Sequence, residues 1–217
     1  MRILGLGCGN ADGSAEILLK AALRAAEGAG ATVQLVRLDD LHLPSGPDPR
    51  EPDDAGWYWE QLVEADGVII STPIITRTVT ARLKLLGDRL LGPNADAAII
   101  ENAVAERRAG REVRVPFTVD ERVLRPRVAG FLSVGGSLTS PWKGLSLPLL
   151  HGMTFSMSIA VVDQAEFEGA GTPQAIVLDD AALSRAAQLG RPSPVSSAAA
   201  CTTRSTSDRQ GCARCVT

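Results

Sequence analysis

Three stretches hold residues whose types and spacing can do chemistry. The first is "GLGCGNADGSAEILLKAAL", Gly5 to Leu23, a glycine-rich loop running into a helix. Gly7, Gly9 and Gly13 make backbone N–H groups accessible, and Asn10 and Ser14 stand at the mouth of the helix. A helix N-terminus with open N–H groups and a positive dipole end attracts anions, so a phosphate is expected here. The structural alternative has Ser14 capping its helix and the glycines turning the chain. The second stretch, Pro73 to Thr78, follows the apolar run "GVIIST" and holds Arg77. The third, Gly135 to Ser137, follows "VAGFLSV" and lets backbone approach a flat ligand closely.

The spacing of the first loop separates the common phosphate binders. A triphosphate loop ends in Gly-Lys-Ser/Thr, and Lys20 lies two turns too late. A dinucleotide fingerprint needs G-x-G-x-x-G, and "GCGNADG" has one residue too many in its last gap. Asp39 and Asp40 end the second strand, where a ribose-binding acid would lie, so the dinucleotide reading is weakened but stays open.

Apolar strands and amphipathic helices alternate around these loops. Strands are expected at Arg2–Leu6, Thr32–Leu38, Gly67–Thr72, Val128–Ser137 and Ser158–Asp163. Helices are expected from Ser14 to Gly28-Gly30, around Trp57–Ala65, over Thr80–Gly92 and over Asp179–Gly190. Continuous apolar strands between helices imply a parallel sheet covered on both faces. Five of them suit a flavodoxin-like, doubly wound α/β domain in three layers, α/β/α, over residues 1–190. Residues 93–127 break the pattern with seven arginines. They are expected to form an insertion, a hairpin or an arm; five interleaved acids in 101–127 argue for a solvated surface or subunit contact rather than nucleic acid. Residues 191–217, rich in Ser, Thr, Pro and Arg, are expected to be a disordered tail.

Composition sets the outer bounds. The chain has 217 residues, 45% of them hydrophobic, enough for one well-buried domain. Aromatics make up only 4%, so the core must come from Ala, Val, Leu and Ile. A net charge of −3 leaves no general basic footprint for nucleic acid. No apolar run has the length of a membrane span, and nothing resembles a signal peptide, so a cytoplasmic protein is expected. Cys201, Cys212 and Cys215 give three thiols where a structural zinc site wants four ligands, so no metal is expected. His151 has two readings, a proton donor beside a bound ring or, more commonly, a residue packed near a helix end; His42 is expected to be structural.

The first loop and its helix resemble the NADPH-dependent FMN reductase family, which is flavodoxin-like and related to iron–sulfur flavoproteins. The matching residues are Gly7, Cys8, Gly9, Asn10, Gly13, Ser14, Ala15, Glu16 and "ILLKAAL". "VQLVRLDDLHLP" and "ADGVIISTPI" through "ARLKLLGDRL" are similar to the family in the same order, and the likeness covers about residues 1–165. By this resemblance Cys8, Asn10, Gly13, Ser14 and Ala15 hold the FMN phosphate, Cys8 through its backbone N–H. Pro73, Ile74, Ile75, Thr76, Arg77 and Thr78 line the isoalloxazine, and Gly135, Gly136 and Ser137 approach its other side.

The resemblance implies an oxidoreductase in which FMN takes hydride from NADPH or NADH and passes it to a flavin, a quinone or another flat small-molecule acceptor. It implies a homodimer and requires no side-chain nucleophile. Where many relatives carry a loop arginine and an aromatic after the proline, this chain has Asn10 and Ile75. Arg77 is expected either to compensate, near the ring or a nucleotide phosphate, or to be a solvated loop residue. No cysteines follow the second strand, so no cluster is expected. A tailoring enzyme of a biosynthetic pathway and a flavodoxin-type electron carrier are the alternatives.

Overall fold

The computed structural model describes residues 1–45, 51–90, 96–113, 119–138, 144–172 and 174–191. Its centre is a five-stranded parallel sheet in the order β2-β1-β3-β4-β5. The strands are β1 (Arg2–Gly7), β2 (Thr32–Arg37), β3 (Gly67–Pro73), β4 (Arg127–Val134) and β5 (Ile159–Phe167). The α-helices among the described residues are α1 (Ser14–Gly28), α2 (Ala55–Glu64), α3 (Ala81–Leu90), α4 (Ala97–Arg108), α5 (Ser146–Thr154) and α6 (Asp180–Gly190). This is the flavodoxin-like fold expected from the alternating pattern.

Side chains on successive strand positions feed two separate cores. Ile3, Ile69, Leu132 and Val134 face α1 and α6, while Leu4, Leu6, Ile70 and Phe131 face α2 to α5. Burial on both faces is why β3 and β4 read as unbroken apolar runs. With few aromatics, the α1 side is closed by small residues. Ala22 and Ala186 are fully buried there, which brings α1 and α6 close together. At the end of α6 the approach is tightest: a Cβ on Gly190 would stand 1.9 Å from the Ala22 carbonyl oxygen.

The opposite end of the sheet depends on one buried cation. Arg127 donates to the carbonyls of Val63, Arg122, Val123 and Arg125, tying α2 and the 3-10 turn 121–124 to the foot of β4. Burial lowers the Arg127 pKa to about 10, so the group stays charged at neutral pH.

The stretch 93–127, expected as an insertion or arm, holds α4, which packs Ile100, Ala103 and Val104 into the core. Its periodicity is blurred because alanines occupy several faces of the helix. A start signal is nevertheless present: Asp96 accepts from the N–H groups of Ala98 and Ile99 at 2.9 and 3.1 Å. No strand occurs among residues 111–113 and 119–123, so the hairpin is not found there; 114–118 lie outside the described residues. Helix α5 is not among the expected elements, and its Pro148 and Gly152 are poor helix formers. Pro148 sits in the first turn, where a missing N–H costs no hydrogen bond. The tail 192–217, with Cys201, Cys212 and Cys215, lies outside the described residues.

Replacing Gly190 by Ala forces backbone against backbone, so a loss of about 2 kcal/mol is expected. Urea unfolding of Gly190→Ala beside the wild type measures it.

Candidate functional site

The chain leaves β1 for β2 on one side and returns to β3 on the other. The crevice beyond the carboxyl ends of β1 and β3 is therefore the switch point where ligands bind in such sheets. The loop from β1 enters it first. Asn10 O accepts the Gly13 N–H at 3.0 Å, and Asp12 between them is left-handed at φ 55°. Gly13 is the N-cap of α1, in extended conformation and with no side-chain cap. Its carbonyl accepts the Ile17 N–H at 2.9 Å. Among the described residues, no protein acceptor meets the N–H groups of Ser14, Ala15 and Glu16. The buried hydroxyl of Ser14, a residue 9% exposed, also has no partner among them. Ser14 therefore does not cap its helix. The first turn is left open, with a buried hydroxyl beside it.

The second loop is a two-residue hairpin. Ile75 and Thr78 exchange N–H···O bonds of 2.8 and 3.0 Å around Thr76 (φ 47°) and Arg77 (φ 68°), the φ pattern of a type I′ turn. Such a turn favours Asn and Gly, so Thr and Arg sit there at a conformational cost. The Arg77 carbonyl accepts the Leu145 N–H at 3.0 Å, and its exposed guanidinium lies over Gly144.

The third loop meets a fourth, which follows β5. Gly135 N–H donates to Phe167 O, and Ala170 N–H to Gly135 O. A Cβ on Gly136 would stand 2.9 Å from the Gly171 Cα, so glycine is required there by an adjoining loop. Gly136 also lines the cleft, where close approach of a flat ring is expected.

The loops enclose a cleft of about 600 Å³. Of the expected site residues, Cys8, Asn10, Gly13, Ser14, Ala15, Pro73, Ile74, Ile75 and Gly136 line it. Ile74 and Gly136 continue into a side pocket of about 170 Å³ shared with Thr76, Arg77, Gly135 and Ser137. Thr78 lines neither and acts through its backbone pair with Ile75. Two expected backbone donors are already committed: the Cys8 N–H to Ser71 O at 2.9 Å, and the Gly135 N–H to Phe167 O at 2.8 Å. Burial, with Asp39 nearby, pushes the Cys8 thiol up, so it is an inert core group. The sequence missed Arg82, Ala170, Gly171 and Gln174 as lining residues. Asp39 lines the cleft from the turn after β2, 3.4 Å from Arg82. His151 lies away from the cleft, bonded to Gln164 at 2.7 Å and edge-on to Phe131.

Behind the first loop Glu16 is buried, 1% exposed. Arg37 donates to both of its oxygens, at 3.0 and 2.8 Å, and Lys20 reaches it at 2.7 Å. Against the cost of burial, the Arg37 bonds in particular hold its carboxyl at about 2. Among the described residues, no group of three or more His, Cys, Asp or Glu is placed to hold a metal, and no helix is long and apolar enough to cross a membrane.

Residues 1–143 match the family described as NADPH-dependent FMN reductase. The chain belongs to that family. It is 37% identical over 209 residues to the flavone synthase cfoJ of Aspergillus candidus, covering 88% of this chain and 62% of that protein. Among solved structures it is similar to a flavone reductase (TM-score 0.75, 28% identity, 94% of this chain and 64% of that one). An azoreductase from Bacillus anthracis shares the fold (TM-score 0.59, 16% identity, 88% of this chain and 98% of that one). The chain thus spans a little less than two thirds of the flavone synthase and the flavone reductase.

The cleft fits the family's cofactor. An open helix N-terminus and an orphan buried hydroxyl suit a phosphate, and the cleft volume falls within the range of small-molecule sites.

Because folding depresses the Glu16 carboxyl, its stabilising contribution is fully present above the ordinary value of 4.5 and is lost as pH falls toward about 2. The stability gap between wild type and Glu16→Gln is expected to hold above pH ~5 and to close below it. Urea titrations at a series of pH values measure the gap.

Proposed function

We propose that this chain is an FMN-dependent oxidoreductase that takes hydride from NADPH or NADH and delivers it to a flat small-molecule acceptor. The observation that carries this is the uncapped first turn of α1 beside the orphan Ser14 hydroxyl, at the switch point of the sheet. Ser14 Oγ and the N–H groups of Ser14 and Ala15 would hold the phosphate with neutral donors, in place of the absent loop arginine. FMN held there would supply the hydride-transfer chemistry.

The protein's part is position and surroundings. Pro73, Ile74 and Ile75 offer an apolar wall to a flat ring. The N–H groups of Thr76, Arg77 and Gly136 have no protein acceptor among the described residues and can serve its polar edge. The strained hairpin holds Thr76 and Arg77 at the wall of the side pocket. Arg77 places a cation at the mouth, suited to a nucleotide phosphate. We assign the protein to a homodimer on the family resemblance, and to the cytoplasm on the sequence expectation.

A narrower reading is a tailoring enzyme acting on a flavone-type ring system. The printed names of two relatives, a flavone synthase and a flavone reductase, favour it.

The visible spectrum of the purified protein tests the reading. Added FMN is expected to bind, NADPH to bleach it without oxygen, and a quinone or flavone to restore the colour. Absence of FMN binding would sink the proposal, and bleaching with no return by any acceptor would sink the reductase. Ser14→Ala is expected to weaken FMN about tenfold, the loss of one hydrogen bond to a charged group. Fluorescence titration reads that change.

A further inference from the structure

The loop that would hold the phosphate is joined to the sheet behind it by four charged side chains. Arg37, the last residue of β2, grips the Glu16 carboxylate with two donors. Lys20, one turn further along α1, bonds Glu16 Oε1 and Asp12 Oδ1, each at 2.7 Å. Asp12 is the loop residue held in the left-handed region. A continuous path thus runs from β2 through α1 to the loop.

The charges bear directly on an incoming anion. Glu16 lies in the first turn of α1, where a carboxylate occupies the positive end of the helix and repels a phosphate beside it. Asp12 adds a second carboxylate, and it lines the cleft. Against these two negative charges stand two positive ones, Lys20 and Arg37, so the set sums to zero. Neither cation lines the cleft. Where a loop arginine would add positive charge at the phosphate, this chain removes negative charge from behind it.

We propose that Asp12, Glu16, Lys20 and Arg37 form a charge-neutral brace that positions the first loop for the FMN phosphate. The brace rests on the phosphate reading of that loop. Lys20 and Arg37 are positioning residues: they act through Glu16 and Asp12 and touch no ligand. Lys20 holds Asp12 in a conformation that a non-glycine residue adopts at a cost. Arg37 keeps a buried carboxylate paired, where an unpaired one would oppose the ligand.

Dissociation constants for FMN and for riboflavin, which lacks the phosphate, test the brace in the full-length protein. Wild type is expected to favour FMN. Lys20→Met, a change at an exposed pair, is expected to weaken FMN about 3-fold. Arg37→Leu is expected to weaken it about 10-fold, and Arg37→Lys to recover part of that loss. Riboflavin affinity is expected to stay within about 2-fold of wild type throughout, because its contacts lie in the other loops. Equal losses for FMN and riboflavin would show a merely structural role and overturn the brace. A wild-type preference for FMN that survives undiminished in Lys20→Met and Arg37→Leu would overturn the brace alone. Equal wild-type affinity for the two flavins would overturn the phosphate site and the brace with it.

Discussion

The first turn of α1 has to stay open and yet be held still, and one buried serine reconciles the two demands. Ser71, fully buried near the end of β3, donates its hydroxyl to the Ala15 carbonyl at 2.7 Å. Its own carbonyl accepts the Cys8 N–H at 2.9 Å. One residue of β3 thus fixes both the exit of β1 and the entry of α1 from behind. The N–H groups at the front are left without a cap. A helix end buried against a sheet usually recruits a side-chain cap. Here the immobilising bond is made to a carbonyl instead, so the donors remain available to an anion.

The rest of the cleft follows from how the other loops are held. The hairpin at Thr76 and Arg77 is strained in itself but tied at both ends, to Val134 through Ile74 and to Leu145 through the Arg77 carbonyl. Strain of that kind persists where surrounding structure over-determines the backbone. The loops after β4 and β5 pack glycine to glycine, Gly136 on Gly171, and close the side of the cleft. At and behind the first loop, Lys20 and Arg37 pair with the carboxylates of Asp12 and Glu16.

Much of this was legible in the sequence. Continuous apolar runs made β3 and β4 recognisable, and their loops then had to fall on the ligand side of a parallel sheet. The glycine spacing around Cys8 weakened the dinucleotide reading, and the late position of Lys20 argued against a triphosphate binder. Hidden were the features that exist only after folding. Glu16 belongs to the motif, but its partner Arg37 is 21 residues away and meets it only once β2 lies beside β1. Donors that looked available at Cys8 and Gly135 are taken by neighbouring strands. Gly171 and Gln174 carry no motif and reach the cleft through packing. Alanine on several faces concealed α4, and a proline in the first turn concealed α5.

The central claim is that a phosphate sits on the open first turn of α1, and a crystal structure of the protein with FMN tests it most directly. The account predicts phosphate oxygens within hydrogen-bonding distance of Ser14 Oγ and of the Ser14 and Ala15 N–H groups, with Lys20 and Arg37 still on Glu16. A phosphate bound elsewhere, with the first turn of α1 facing only solvent, would contradict it.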